Sequence, residues 1–275
     1  MRRLWSWLCL AFLATTASAQ DRIPSHCIAL SAAEPLLWPA NYPDPVPLGA
    51  VRIRYLDHAM FMIQTPGGLT AMTDFTGWFG TARLIPDVVT MNNAHSTHWT
   101  SAPDPAIAHV LEGWARGGVA ADHYLDLGEM LIRNVPTDVL NRDGLRGRRE
   151  DGNSIFVFET AGLCIGHMGH LHHVPTARDY ASLGRVDVVM IAVDGGLTLD
   201  LPRVLQVMER LRARVVIPMH WFGRQTLEAF ILGMEEAGYR VVRDTGPEVI
   251  LSLATLPDAP TVLVLEPELL YDDDE

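Results

Sequence analysis

The sequence predicts an α/β domain built in layers, with helices flanking two β-sheets. The first half of the chain contains strand-like runs with glycine turns between them, and the second half alternates apolar strands with amphipathic helices. Three histidine clusters, which hold seven of the eleven histidines, each follow an apolar strand-like run. This order favours two sheets in one domain, with the histidines at strand ends.

The N-terminus predicts export. Two arginines follow Met1, an apolar stretch covers residues 4–13, and small residues lead to Ala19, as in a secretory signal peptide. We therefore expect a signal peptide over 1–19, cleavage near Ala19, and a periplasmic or secreted protein. Residues 20–50 are rich in Pro and Ala and predict an irregular leader. Residues 51–275 predict a single domain, without a run long enough to cross a bilayer.

The cysteines leave two alternatives open. Cys9 falls within the predicted signal peptide, so Cys27 in the leader and Cys164 in a strand-like run remain. In an oxidising compartment they could form a disulfide that ties the leader to the domain. A buried free thiol at Cys164 fits the sequence equally well.

The first predicted elements are a hairpin and a strand. Residues 51–65 and 69–75 alternate around a Pro-Gly-Gly turn, and residues 87–91 form a strand that leads to the first histidine cluster. In residues 104–117 the apolar side chains of Ile107, Val110, Leu111 and Trp114 are spaced as on one helix face. This spacing predicts an amphipathic helix.

The second half predicts alternating strands and helices. Thr176 and Asp179 have the spacing of a capping box at a helix start, Asp200 precedes the next helix, and Gly238 follows the last one. The predicted elements are strands at 130–135, 154–159 and 163–166, a helix from 176 to 184, a strand at 186–193, a helix at 201–211, a strand at 215–219 and a helix from 227.

The composition excludes several reaction mechanisms and kinds of partner. The chain has a formal net charge of −12 and contains no lysine, which excludes Schiff-base and lysine-base mechanisms. An acidic chain without a basic cluster predicts neither a nucleic-acid nor a membrane partner, and a small-molecule substrate is expected. The short patch of Arg146, Arg148 and Arg149 is interpreted as a solvated loop.

The three histidine clusters indicate a metal centre. They read NNAHSTH at 92–98, HMGHLHH at 167–173 and MH at 219–220. Imidazole is the commonest protein ligand for metals, and a side chain at a strand end is held rigidly. Unrelated surface or core histidines are the alternative, which weakens because all three clusters follow apolar runs.

Several motifs in these segments resemble the metallo-β-lactamase superfamily. LDHAMF, MTDF, NNAHSTH, HMGHLHH, VDGGLTLD and IPMHW occur in the order of that family's GHASF, TDP, THxHxDH, HLGDLGH, VGGxYTID and PMH motifs, over residues 51–223. The resemblance implies a four-layer αββα sandwich with a metal site at the edge where its two sheets meet. The branch that includes ascorbate-lactone hydrolases is the most similar.

The resemblance also shows where the metal motif has changed. Asn93 stands where the family has its first histidine, Thr97 where it has an aspartate, and His170 where it has a bridging aspartate. The changes leave His95 as the single ligand of one family site, so one ion rather than two is expected. Zinc is the expected metal, with manganese or iron as alternatives. The ligands implied are His98, His170 and His220, with His95 as a fourth.

Other residues are implied in supporting roles. Asp74 matches a carboxylate that orients a metal-binding histidine, and Asn93, Thr97 and His172 are expected around the ligands. Asp194 replaces a glycine and could be a ligand, a general base or a cap of the turn at Gly195. His167 receives little weight as a ligand. The candidate catalytic residues are Asp194, His173 in the histidine loop, and His58, which could bind substrate.

Three functions fit these residues. The first is hydrolysis, in which metal-activated water attacks an ester, lactone, amide or phosphoester. The second is a catalytically degenerate member that binds a metal or ligand without turnover, which the changes at 93, 97 and 170 favour. The third is redox chemistry at a histidine-bound iron.

Overall fold

The computed structural model describes Cys27 and residues 44–140, 147–243 and 245–272. The predicted signal peptide lies outside the described residues, as does most of the predicted leader. Within the described ranges, none of the helices combines the length and apolar character needed to cross a membrane.

The described residues form two sheets and three helices. The helices are α1 (Ala177–Leu183), α2 (Leu201–Leu211) and α3 (Arg224–Glu236). The strands are β1 (Ala50–Asp57), β2 (Met60–Gln64), β3 (Thr70–Met72), β4 (Val88–Met91), β5 (His109–Glu112), β6 (Tyr124–Asp126), β7 (Met130–Leu140), β8 (Arg148–Thr160), β9 (Leu163–His167), β10 (Val188–Ala192), β11 (Val215–Met219), β12 (Arg240–Val242), β13 (Glu248–Ser252) and β14 (Thr261–Leu263).

Each sheet has an antiparallel part and a parallel part. The six-stranded sheet has the order β13-β1-β2-β3-β4-β5, in which β3, β4 and β5 are parallel. The eight-stranded sheet has the order β12-β14-β11-β10-β9-β8-β7-β6. Its five neighbouring strands β9, β10, β11, β14 and β12 are parallel to one another. Strands β10 and β11 are apolar throughout, as parallel strands buried on both faces require.

The main core lies between the two sheets. Phe61 and Ile63 of the six-stranded sheet are fully buried in one cluster with Phe156 and Phe158 of the eight-stranded sheet. A second cluster lies beneath the helices, where Met208 of α2 and Phe230 of α3 cover the outer face of the eight-stranded sheet. The predicted α/β architecture of helices and two packed sheets is confirmed.

The predicted start signals of the helices are also present. The Thr176 hydroxyl accepts a hydrogen bond from the Asp179 amide, and the Asp179 carboxylate accepts one from the Thr176 amide, which completes the capping box of α1. The Asp200 side chain accepts a hydrogen bond from the Arg203 amide at the start of α2.

The helix predicted at 104–117 is wrong. This segment contains β5, which pairs in parallel with β4. Leu111 packs into the core between the sheets, whereas Val110 and Trp114 pack into a cluster on the opposite face. The apolar side chains of this segment are therefore buried on both faces of the sheet. Pairing with β4 makes the segment a strand in spite of its helical spacing. Among the described residues, the outer face of this sheet is covered by non-helical chain that includes Phe75 and Ile107.

Of the two alternatives for the cysteines, the structure contains the disulfide. Cys27 and Cys164 are bonded, with a Cα–Cα distance of 5.7 Å, and both are buried. The Arg185 amide donates a hydrogen bond of 2.9 Å to the Cys27 carbonyl oxygen. The bridge therefore fastens a residue of the leader to β9, a central strand of the eight-stranded sheet.

Candidate metal centre

Histidines from both sheets converge at the edge where the parallel strands end. His98 follows β4, His170 follows β9 and His220 follows β11, while His58 lies in the turn between β1 and β2. The His220 amide donates a hydrogen bond of 2.8 Å to the His58 carbonyl oxygen, which joins the two sheets at this edge. Carboxyl ends of parallel strands are a common place for a functional site.

The backbone at this edge is strained. His58, Asp74 and His220 have φ angles of 46°, 42° and 60°, in the left-handed region that favours glycine. Non-glycine residues keep such angles only where the surrounding structure enforces them, and they concentrate at functional sites.

In the part of the chain that the structure describes, two groups of side chains could each hold a metal ion. One contains His58, His98 and His220, the other His95, His98 and His170, and within each group the ligand atoms lie within 4.8 Å of one another. His98 belongs to both. The sequence-based ligand set is therefore divided, because His170 is grouped with His95 rather than with His220. His58 enters a ligand group that the sequence analysis did not give it.

His98 is oriented by Asp74. Both side chains are fully buried, and Nδ1 of His98 lies 2.5 Å from Oδ2 of Asp74. The other carboxylate oxygen accepts a hydrogen bond of 2.8 Å from the Asn92 amide. With Asp74 ionised, Nδ1 of His98 carries the proton and Nε2 has a free lone pair, as in carboxylate-histidine-metal arrangements.

Asp194 lies beside His220, but the contact does not have the geometry of a hydrogen bond. Nδ1 of His220 lies 3.0 Å from Oδ2 of Asp194. Oδ1 of Asp194 accepts hydrogen bonds from the backbone amides of Gly196, Leu197 and Thr198, at 2.7 to 3.0 Å. Asp194 therefore caps its turn and lies against His220, and a turn cap is one of the roles expected of it.

The free nitrogens of these two histidines face each other. Nε2 of His98 lies 3.2 Å from Nε2 of His220. When both rings carry their proton on Nδ1, two lone pairs face each other at this distance and repel unless a cation lies between them. Two imidazoles on one tetrahedral zinc, with bonds of about 2.0 to 2.1 Å, have nitrogens roughly 3.3 to 3.4 Å apart. The observed distance fits this requirement.

Burial keeps the imidazoles neutral. It lowers the pKa of His98 well below its ordinary value, that of His170 to about 2 and that of His58 to about 3, and neighbouring histidines lower each pKa further. Burial raises the pKa of Asp74 to about 7. Burial would also raise the pKa of Asp194, but His220 and the turn amides together bring it below its ordinary value. Neutral imidazoles are the form that binds metals.

His170 and His95 lie on the other side of His98. Nδ1 of His170 lies 2.6 Å from Nε2 of His172, and the His170 amide donates to Oδ1 of Asn153. His95 is exposed, and its Nδ1 lies 3.1 Å from the Thr97 hydroxyl. His172 and Thr97 therefore contact the histidines they were predicted to support.

Of the remaining predicted residues, His173 and His167 make their side-chain hydrogen bonds outside the ligand groups, whereas the Asn93 carbonyl oxygen accepts a hydrogen bond of 2.7 Å from the His95 amide. Nδ1 of His173 lies 3.0 Å from the Val174 carbonyl oxygen and Nε2 accepts from the Asp138 amide, so the structure does not bring His173 to the cluster. Asn93 accepts a hydrogen bond from Arg149. Nε2 of His167 lies 2.8 Å from the Ala59 carbonyl oxygen, and this fully buried ring connects the two sheets.

A cleft of about 180 Å³ opens beside His95 and His170. On the other side of the centre, the Phe222 ring lies 5.3 Å from that of His58 and 5.4 Å from that of His220, and is 67% exposed. The sequence analysis missed Phe222, although it follows the last histidine by two positions. The residues that line the cleft are Asn93, Ala94, His95, Val139, Leu140, Arg149, His170 and His172.

Two packed sheets with a histidine-rich centre at their shared edge are typical of one class of metal-binding proteins. A match to a known family supports this class. The Beta-lactamase superfamily domain matches residues 52–220. Because that match covers more than half of the chain, the protein belongs to the β-lactamase superfamily. The resemblance found in the motifs is thereby confirmed.

Relatives extend the comparison. The chain is 25% identical over 188 residues to a protein from Methanospirillum hungatei described as a UPF0173 metal-dependent hydrolase, over 62% of this chain and 83% of the relative. A Thermotoga maritima structure described as a Zn-dependent hydrolase of the metallo-β-lactamase superfamily has a TM-score of 0.54 and 24% identity, over 79% of this chain and all of that one. Igni18 from Ignicoccus hospitalis, described as a metallo hydrolase, has a TM-score of 0.54 and 17% identity, over 74% and 99% of the two chains. The structural likenesses show the fold.

Replacing Asp74 by asparagine should weaken metal binding about 10- to 100-fold. The amide can donate to Nδ1 of His98, which moves the ring proton to Nε2 and removes the lone pair that faces His220. Competition with a chelating indicator measures the affinity. Asp87→Asn is the matched control, because the Asp87 side chain holds the backbone amide and the hydroxyl of Thr70 on the same sheet and lies outside both ligand groups. Equal affinity in wild type and Asp74→Asn would show that the carboxylate does not set the tautomer.

The metal-free protein should lose about 1 to 3 kcal/mol of stability between pH 7 and pH 5. The lowered pKa values keep His98, His167 and His170 neutral in the folded chain, whereas the unfolded chain binds protons as the pH falls through about 6.5. The unfolded state is therefore favoured by acid. Asp74 has the opposite effect. Because its pKa is raised, the folded chain binds this proton at a higher pH than the unfolded chain does, which cancels the destabilisation due to about one histidine.

Urea unfolding of chelator-treated protein at several pH values measures this dependence. His170→Ala should reduce the slope by about one proton, which corresponds to roughly 1.4 kcal/mol per pH unit. A stability that stays constant or rises on acidification from pH 7 to pH 5 contradicts the neutral-imidazole assignment.

Proposed function

We propose that the protein is a metal-dependent hydrolase whose ion is held by His58, His98 and His220. The observation that carries this is the 3.2 Å approach of the two Nε2 atoms, each on a ring whose Nδ1 lies against a buried carboxylate. His98 has one free nitrogen and can join only one ion, and that nitrogen lies 3.2 Å from Nε2 of His220. His58 belongs to the same ligand group, and its Nε2 is buried without a hydrogen-bond partner among the described residues.

The donor set favours zinc. Three neutral imidazoles with an open fourth position are typical of catalytic zinc, and manganese or iron would be accepted by the same nitrogens. When bound, such an ion supplies Lewis acidity, which activates water and polarises the oxygen under attack. The proposed reaction is hydrolysis of an ester, lactone, amide or phosphoester in a small molecule.

The protein's own groups provide orientation and shape. Asp74 holds the proton of His98 on Nδ1, away from the ion, and Asp194 places a carboxylate 3.0 Å from Nδ1 of His220. His95 and His170 line the neighbouring cleft, where their ring nitrogens can form a hydrogen bond with a substrate. Phe222 offers an exposed aromatic face beside His58 and His220, against which an apolar part of the substrate can pack.

We also propose that the protein works outside the cytoplasm. The N-terminal sequence of a signal peptide supports this, and so does the disulfide between Cys27 and Cys164, because such bridges persist in oxidising compartments.

The test compares metal-loaded and chelated protein on a panel of esters, lactones, amides and phosphodiesters. We expect hydrolysis of at least one class, its loss on chelation, and its return when zinc, manganese or iron is added back. Elemental analysis should find about one equivalent of metal per chain. A fully loaded protein that hydrolyses none of the panel would overturn the proposal in favour of a member that binds metal without turnover.

A further inference from the structure

Arg149 is exposed, as expected for the arginine patch, and it lines the cleft beside the histidines. It begins β8 together with Arg148, and the structure separates the two neighbours. Arg148 forms an ion pair with Asp138, whereas Arg149 lines the same cleft as His95 and His170. Arg148 is therefore paired with an acidic residue of the fold, whereas Arg149 borders the candidate active site.

The Arg149 guanidinium is fixed in position. Its Nη2 donates hydrogen bonds of 2.6 Å to Oδ1 of Asn93 and 3.0 Å to the Gly152 carbonyl oxygen. A side chain at Gly152 would collide with it, since a Cβ there would lie 2.4 Å from Nε of Arg149. A glycine thus makes room for the arginine, and Asn93 holds its end.

The charge of Arg149 has no counter-ion in the described part of the chain. Its two hydrogen bonds go to uncharged oxygens, and both use Nη2. An arginine has five N–H donors, so those on Nε and Nη1 remain for another acceptor. Burial lowers the pKa of Arg149, but an arginine side chain remains charged at neutral pH.

Among the described residues, the others that line the cleft carry no acidic group. They are an asparagine, an alanine, a valine, a leucine and three histidines, of which His170 is kept neutral by its lowered pKa. A fixed guanidinium in such surroundings attracts an anion, and its planar fork matches the oxygens of a carboxylate or phosphate. The volume of about 180 Å³ is below the roughly 300 Å³ of typical ligand pockets, so the group it accepts is small.

We propose that Arg149 binds an oxyanion group of the substrate, a carboxylate or a phosphate, and thereby selects small anionic substrates. This inference rests on the proposed function, because it places the scissile bond at the histidines and the charged group at Arg149. Arg149 is thus a specificity-determining residue, outside the set that holds the metal.

The first test measures binding without catalysis. Metal-free protein is titrated with inorganic phosphate and with succinate at pH 8, followed by calorimetry or by NMR. Arg149→Gln should weaken binding about tenfold or more, and Arg149→Lys, which keeps the charge but loses the fork, should lie between. Arg240→Gln is the matched control, an exposed arginine on β12 at the opposite edge of the same sheet. Equal binding by wild type and Arg149→Gln, or binding by neither, overturns the inference.

The second test uses two esters with the same leaving group, a hemisuccinate and a butyrate. The wild type should prefer the hemisuccinate, and Arg149→Gln should raise its KM about 10- to 100-fold while kcat changes little and the butyrate is unaffected. An equal loss on both esters would assign Arg149 a merely structural role and overturn the inference. Anion binding that depends on Arg149, in a protein that hydrolyses nothing, would instead refute the hydrolase proposal alone.

Discussion

Replacing His98 and His220 together by alanine should reduce bound metal from about one equivalent per chain to a small fraction of that, and should lower hydrolysis by about a thousandfold or more. The two Nε2 atoms that face each other at 3.2 Å are the centre of the proposed site, and their removal leaves at most one ligand of the group, His58. One imidazole cannot hold a zinc ion against solvent.

Elemental analysis after gel filtration measures the metal, and circular dichroism checks the fold. His109→Ala is the control, because His109 lies on β5 outside both ligand groups. Metal retained in the double variant would mean that the assignment of His98 and His220 is wrong.

Single variants separate the two ligand groups. His58→Ala should release metal and His170→Ala should keep it if the ion lies with His58, His98 and His220. The opposite result would place the ion with His95, His98 and His170, the second group of nitrogens within 4.8 Å.

Removing the disulfide should produce the largest effect on stability. The variant with both Cys27 and Cys164 replaced by alanine should lose roughly 3 to 5 kcal/mol of unfolding free energy, because the bridge closes a loop over a sequence separation of 137 residues. The link restricts the unfolded chain, so its loss raises the entropy of that state.

Urea unfolding with and without a reductant measures this effect. The wild type unfolded in reductant should reach the stability of the double variant, and the variant itself should not respond to reductant. If the two proteins have the same stability under oxidising conditions, the bridge contributes nothing to the fold.

The sequence was sufficient for the elements whose signals are local. The capping box of α1, the apolar face of α2 and the apolar strands β10 and β11 are each determined by neighbouring residues. The histidines of the strand ends could be predicted as a centre for the same reason. The helix at 104–117 failed because pairing with β4, which no local pattern reveals, decided the structure.

The separation of the histidines into two ligand groups could not be predicted, since it depends on contacts between segments that are distant in the sequence. His58 joins His98 and His220 because its turn is held by a hydrogen bond to the end of β11. Arg149 reaches the cleft because Asn93 and Gly152 hold it, while its neighbour Arg148 is paired with Asp138. The sequence of two neighbouring arginines does not show which of them lines the cleft.

The position of the centre between the sheets has a consequence for folding. His58 and His98 belong to the six-stranded sheet and His220 to the eight-stranded sheet. An ion shared by the three is therefore a cross-link between the two halves of the molecule, available only to the folded chain. Metal loading and folding become one linked equilibrium, in which each tenfold increase in free metal above the dissociation constant adds about 1.4 kcal/mol of stability. The supply of metal ions in the protein's surroundings would then set its lifetime as well as its activity.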